Sequence, residues 1–105
     1  FVVEQVLSNA LKYTPEGGTI RIYGDGATVV IADNGIGIRE EDQARVFEKG
    51  FTGYNGRADK KSTGIGLYLC RQVMDRLNHG ISLTSRPGQG TLVRLDLSRE
   101  WRMVE

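Results

Sequence analysis

Two stretches of alternating apolar and polar residues, each broken near its middle by a glycine turn, decide most of what this chain can become. In TIRIYGDGATVVIAD, Ile20 and Ile22 alternate with polar neighbours, Asp25-Gly26 marks a tight turn, and Val29, Val30 and Ile31 make a more buried run that ends at Asp33. That pattern predicts strand, turn, strand. GISLTSR, PGQG and TLVRLDL predict the same arrangement at the end of the chain. A sheet built from hairpins needs a second layer over its apolar face.

The intervening segments supply that layer. In FVVEQVLSNALKY, Val2, Val3, Val6, Leu7, Ala10 and Leu11 recur at helical spacing, and Thr14-Pro15 stops the helix because proline pushes the residue before it out of helical geometry. REEDQARVFE, residues 39–48, reads as a short helix with acidic residues in its first turn, where the dipole favours them. A third helix is expected from about Gly64 to Leu77, with Leu67, Cys70, Val73, Met74 and Leu77 on one face. The order helix, hairpin, helix, loop, helix, hairpin predicts an α/β (α+β) two-layer sandwich: a mixed, mostly antiparallel sheet covered on one face by helices.

A chain of 105 residues, 39% hydrophobic and 26% charged, has room for one domain. Fourteen basic against thirteen acidic residues leave a net charge of +1, which gives no electrostatic case for nucleic acid or an anionic membrane as partner. The single cysteine, Cys70, excludes an internal disulfide and reads as a small core residue. No apolar run approaches the roughly 18 residues of a membrane span. The chain opens on an amphipathic helix without an initiator Met, and we expect further sequence ahead of it.

Three glycine clusters remain: DNGIGI at 33–38, STGIGL at 62–67 and PGQGT at 87–91. Glycine in a helix costs about 1 kcal/mol relative to alanine, so Gly64 and Gly66 at a helix start ask for a reason beyond folding. One is a flexible joint; the other is close approach of bare N–H groups to an anion. Nothing matches a P-loop, and no G-x-G-x-x-G follows a strand into a helix. Asp33 reads either as a turn-former before Asn34-Gly35 or as a carboxylate kept at the end of a buried strand for a partner. Gln5, Asn9 and Lys12 lie on neighbouring turns and share one helix face. Asn9 there is either a solvated residue or a neutral oxygen ligand suited to Mg²⁺. Residues 50–63, GFTGYNGRADKKST, lack apolar periodicity and form a loop long enough to suggest function.

In order, NALKYT, DNGIGI, VFEKGF, STGIGL and PGQGT closely resemble the nucleotide-binding family of bacterial sensor histidine kinases, type II topoisomerases, Hsp90 chaperones and mismatch-repair ATPases, with the histidine kinase branch matching best. The resemblance covers practically the whole chain and implies the Bergerat ATP-binding fold, with residues 1–105 as a catalytic domain truncated at its N-terminus. It implies ATP and Mg²⁺ as cofactors, with Asn9 the metal ligand, Lys12 a phosphate contact and Tyr13 a wall for the adenine. Asp33 would accept a hydrogen bond from the adenine amine, with Thr91 beside it; Gly35 and Gly37 would let backbone pass close to base and sugar, and Ile36 and Ile38 would pack there. Thr63, Gly64, Ile65, Gly66 and Leu67 would receive the triphosphate at the head of the third helix. Residues 50–63 match the lid, anchored by Phe47 and Phe51, with Arg57, Lys60 and Lys61 within reach of phosphate on closure.

Hydrolysing relatives carry a glutamate four residues before the metal asparagine; here that catalytic position is Gln5. Glutamine cannot take a proton from water, whereas a neutral histidine already has its lone pair, so the resemblance favours transfer to histidine. An ATPase or serine kinase on the same fold and a regulatory nucleotide binder stay open as alternatives. His79, the single histidine, lies in RLNHGI without acidic companions and reads as a loop residue rather than the phosphoacceptor. The implied partners are a separate dimerisation and phosphoacceptor domain of the same protein and a downstream response regulator. EKGFTGYNGR and STGIGLYLCRQVMDRL look like the short-sensor, envelope-stress kinases of Gram-positive bacteria, which implies a cytoplasmic domain of a membrane-anchored bacterial protein. The resemblance also implies a strand ahead of the first helix that this sequence is expected to lack, which would leave a sheet edge open.

Overall fold

In the computed structural model, which describes residues 1–50 and 66–97, three helices and four strands follow the predicted order. They are α1 (Val2–Tyr13), β1 (Ile20–Asp25), β2 (Thr28–Asp33), α2 (Glu40–Gln43), α3 (Gly66–Arg76), β3 (Gly80–Arg86) and β4 (Gly90–Asp96). The sheet runs β1-β2-β4-β3, and all three pairings are antiparallel. The parallel component of a mixed sheet is therefore absent among the described residues.

The turns form where the glycines allow them. Asp25 pairs with Thr28, so the β1–β2 loop is the two residues Gly26 and Ala27, with Gly26 at φ +66° in the left-handed region that this tight hairpin requires. Arg86 pairs with Gly90 across Pro87, Gly88 and Gln89, with Gly88 at φ +81°. α1 stops at Thr14, whose extended backbone (φ −107°, ψ 115°) is what the following proline demands.

α3 closes differently from the expectation. Asn78 takes the left-handed conformation (φ 62°), its N–H donates to the Asp75 carbonyl, and the His79 N–H reaches back to Met74 at 2.8 Å. This double closure is a Schellman cap with asparagine in the usual glycine position. Leu77, expected on the apolar face, is the cap residue and is 53% exposed.

α2 is also shorter than the predicted 39–48. One turn forms, and beyond it Arg45 and Glu48 donate three residues back, to Asp42 and Arg45, so the chain continues as successive tight turns. Asp42, read as a dipole partner, is instead buried and ion-paired to Arg39 at 3.2 Å.

One sheet face carries the core. Val2, Val6 and Ala10 of α1 and Cys70 and Met74 of α3 pack over Ile31, Val93 and Leu95, flanked by Ile20, Val29, Leu67, Val73, Ile81 and Leu83. Register explains the layer: Ile31 faces Val93, Val29 faces Leu95, and Leu83 and Ile81 continue the two rows. Each large buried side chain contributes roughly 1.5–3 kcal/mol. β1 is an edge strand, and its Ile22 is 51% exposed.

Candidate nucleotide site

Where β2 ends, the apolar face gives way to polar chemistry. Asp33 pairs with Ile20 on one side and Thr91 on the other, so its carboxylate comes out of the sheet beside the inner face of α1. Oδ1 accepts from the Gly35 N–H at 2.8 Å and from the Thr91 N–H at 3.3 Å. Oδ2 has no hydrogen-bond partner among the described residues. One oxygen thus holds the carboxylate in place, and the other is free to accept.

The Asp33 side chain lines a narrow cleft between α1 and the sheet, about 10 Å³ in volume. Val6, Asn9, Ala10 and Tyr13 supply the helix wall; Ile31, Asp33, Thr91 and Val93 supply the sheet wall, and Ile38 closes the end. Its lining, apolar with a few convergent polar groups, has the chemistry of a small-molecule site. A broader depression lined by Arg21, Ile22 and Tyr23 on the edge strand has no such convergence.

The loop of residues 34–38 is held by backbone on both sides. The Ile36 N–H donates to the Tyr13 carbonyl, and the Ile36 carbonyl accepts from Gly88. A Cβ on Gly35 would run into the Tyr13 carbonyl, one on Gly37 (φ +77°) into that of Arg86, and one on Gly90 (φ +123°) into that of Asp33. Clearance for a ligand is the expectation for Gly35 and Gly37; the structure gives them, together with Gly90, a prior reason, the close approach of backbone from distant chain segments.

On α1, Asn9 faces the cleft, and Gln5, one turn earlier, extends to α3, where its Oε1 lies over Gly66. The Lys12 ammonium lies 5.1 Å from the centre of the Tyr13 ring. Phe47 lies against α3, with the Arg71 guanidinium 4.8 Å from its ring centre. Leu67, expected at the phosphates, packs against the core. Phe51, Arg57, Lys60, Lys61, Thr63, Gly64 and Ile65, and the proposed lid apart from Gly50, lie outside the described residues.

Two residues that the sequence reading passed over tie the site together. The Gln43 amide donates to the carbonyls of Ile38 at 2.7 Å and Ser85 at 3.0 Å. The buried Ser85 Oγ accepts from the Ile38 N–H at 2.8 Å and lies 2.8 Å from Thr91 Oγ1. The alternation Ile81, Leu83, Ser85 in β3 places a serine at an inward position, and that was the available signal.

Residues 1–100 match the sequence family described as histidine kinase-, DNA gyrase B- and HSP90-like ATPase. The chain belongs to this ATPase family. Within it, the chain is 41% identical over 100 residues to the sensor histidine kinase YxdK of Bacillus subtilis, covering 90% of this chain and 30% of the relative. It is 40% identical over 108 residues to the sensor protein kinase GraS of Staphylococcus aureus, covering 99% of this chain and 31% of that protein. The chain therefore spans under a third of the length of these curated relatives. Among solved structures it resembles the mycobacterial sensor histidine kinase MprB (TM-score 0.73, 29% identity, 90% of this chain and 67% of that one). It also resembles the catalytic domain of the histidine kinase ThkA (TM-score 0.69, 26% identity, 93% and 65%). The ATPase-family fold accounts for the antiparallel sheet with helices on one face.

Proposed function

We propose that this chain is the catalytic and ATP-binding domain of a sensor histidine kinase, and that it presents the γ-phosphate of ATP to a histidine on a separate dimerisation domain of the same protein. The observation that carries the reading is the Asp33 carboxylate, pinned through Oδ1 and lining the same cleft as Asn9 of α1. In this reading Oδ2 accepts the adenine amine, Tyr13 and Ile38 flank the base, and Lys12 neutralises phosphate charge. The identity to sensor kinases along nearly the whole chain supports it.

The donor set fits Mg²⁺ delivered with a polyphosphate. Among the described residues no group of three or more His, Cys, Asp or Glu could hold an ion by itself. Asn9 offers one neutral oxygen, which suits an ion that takes its other ligands from phosphate and water. When bound, Mg²⁺ would neutralise charge on the phosphates during transfer. Asn9 holds and orients; Gln5, with no basic oxygen, leaves bound water unactivated and so favours an imidazole acceptor over hydrolysis. The stretch from Gly64 to Leu67 would meet the phosphates with backbone N–H groups. Residues 50–63 would be the lid, with Phe47 and Phe51 as its anchors.

On this reading the whole protein pairs with a response regulator, and the chain is the cytoplasmic portion of a membrane-anchored sensor. No described helix is long and apolar enough to cross a membrane. Similarity to kinases of Bacillus and Staphylococcus agrees with a short-sensor kinase of the Gram-positive type. The deciding experiment is single-turnover transfer of labelled γ-phosphate from ATP to a supplied phosphoacceptor domain, with and without Mg²⁺. Labelled histidine supports the kinase; steady release of inorganic phosphate, or binding without transfer, favours an ATPase or a regulatory module.

A further inference from the structure

Ile38 closes the end of the cleft directly after Gly37, a residue at φ +77° whose own conformation restrains the chain least. Two side chains from elsewhere hold it. The Ile38 N–H donates to Ser85 Oγ at 2.8 Å, and the Ile38 carbonyl accepts from the Gln43 amide at 2.7 Å. The same Gln43 nitrogen donates to the Ser85 carbonyl at 3.0 Å. A primary amide nitrogen carries two protons, and both are engaged. β3 is an edge strand, so the amide reaches Ser85 from outside the sheet and clips Ile38 to the strand that pairs with the β4 wall of the cleft.

Gln43 is itself firmly presented. Its backbone N–H donates to the Arg39 carbonyl at 3.1 Å in the single turn of α2, Asp42 before it is buried and ion-paired to Arg39, and Val46 after it is buried. A wall fixed before the ligand arrives loses less freedom on binding. We infer that Gln43 is a positioning residue for nucleotide binding: it does not line the cleft, and it acts through Ile38, holding that side chain where it meets the base. The inference rests on the ATP reading above and goes beyond it in assigning a residue outside the glycine motifs.

The test is calorimetric titration of Mg-ATP and Mg-ADP against wild type, Gln43→Met and Gln43→Glu, at a temperature where circular dichroism shows each protein folded. Methionine fills the same space without a donor; glutamate fills it with acceptors that face two carbonyls. ATP affinity should fall about tenfold in Gln43→Met, the scale of one lost hydrogen bond with an unpaired group left behind. It should fall further in Gln43→Glu, and ADP should lose the same factors because it carries the same base. In an Ile38→Ala background, Gln43→Met should cost less than about twofold more, since the side chain it positions is gone. Gln43→Asn, which draws the amide about one bond back from both carbonyls, carries the same expectation and covers the event that the other variants do not fold. A glutamine that only stabilises the fold would lower the melting temperature and leave the affinity of the folded protein unchanged, which overturns the role of Gln43 while leaving the ATP site standing. A loss confined to ATP, placing the effect at the γ-phosphate, overturns it too, as does an equal cost of Gln43→Met with and without the Ile38 side chain. Failure of the wild type to bind either nucleotide overturns the ATP reading itself and this role with it.

Discussion

The side-chain oxygen of Gln5 lies over the bare Cα of Gly66, 2.8 Å from where a Cβ on that residue would stand. This contact joins the first turns of α1 to the start of α3. The Gln5 amide is the far end of a flexible side chain, so Gly66→Ala can push it aside at little cost to the fold. Alanine also recovers up to about 1 kcal/mol of helix propensity. Gly66→Ala should therefore melt at or slightly above the wild-type temperature while binding ATP at least tenfold more weakly, because Gln5 is driven toward the phosphate end of the cleft. Paired melting curves and titrations check it. Loss of stability with affinity retained would assign Gly66 to packing alone.

Gly37 should behave in the opposite way. Its φ of +77° and the approach of the Arg86 carbonyl leave no room for a Cβ, and the opposing atoms are backbone. Left-handed strain alone costs about 1–2 kcal/mol. Gly37→Ala is expected to lose more than about 2 kcal/mol in urea denaturation. Gly17→Ala, with φ +90° and open space around it, provides the control and should lose about 1 kcal/mol.

The contrast between these glycines shows what local sequence could and could not reveal. The hairpins, α1 and the apolar face of α3 were legible because strand alternation, helical spacing and glycine turns are local signals. Asp33 was legible because a carboxylate at the end of an apolar strand is out of place unless it has a task. The acidic first turn of α2 forms as expected, with Asp42 also ion-paired to Arg39, but the helix ends at Gln43 because the chain beyond it closes as successive three-residue turns, which apolar spacing does not distinguish from a helix. Gln43 carries no local signal, a glutamine in an acidic segment, and the inward place of Ser85 in the β3 alternation acquires a role only once the β3–β4 register sets it opposite Thr91. The clearance at Gly35, Gly37 and Gly90 is likewise a property of segments distant in the chain.

Asp33→Asn separates base recognition from folding. The amide oxygen can still accept from Gly35 and Thr91, so the loop stays in place and stability should change by less than about 1 kcal/mol. The amide nitrogen then replaces Oδ2 and faces the adenine amine, donor against donor. Flipping the amide only moves the conflict onto the two backbone N–H groups. Losing a charged hydrogen bond costs about 1.5–3 kcal/mol, so ATP affinity should fall by about 10- to 150-fold. The ATP-to-GTP preference should shrink with it, since the guanine carbonyl can accept from the new donor. Titration of both nucleotides checks this; unchanged ATP affinity would place the base elsewhere.

Cys70 provides a prediction about stability and pH that is independent of the ligand. It is fully buried against α1, its Sγ 3.9 Å from the Val2 carbonyl, and burial pushes the thiol pKa up from 9.0 to about 11. A raised pKa means that the folded state prefers the neutral thiol. The associated stability is complete below the unfolded-state value near 9 and is lost as pH climbs toward 11. Two pH units correspond to about 3 kcal/mol at most. The stability difference between wild type and Cys70→Ala should be constant up to about pH 8.5 and then move in favour of the variant across the interval from 9.0 to about 11. Comparing the two proteins removes the lysine and tyrosine titrations, which both share. The same burial makes the folded thiol inert: a thiol reagent at pH 8 should label it only at the rate of local or global opening. Rapid stoichiometric labelling of the native protein would show that α1 and α3 part readily, and would contradict a closed core at this position.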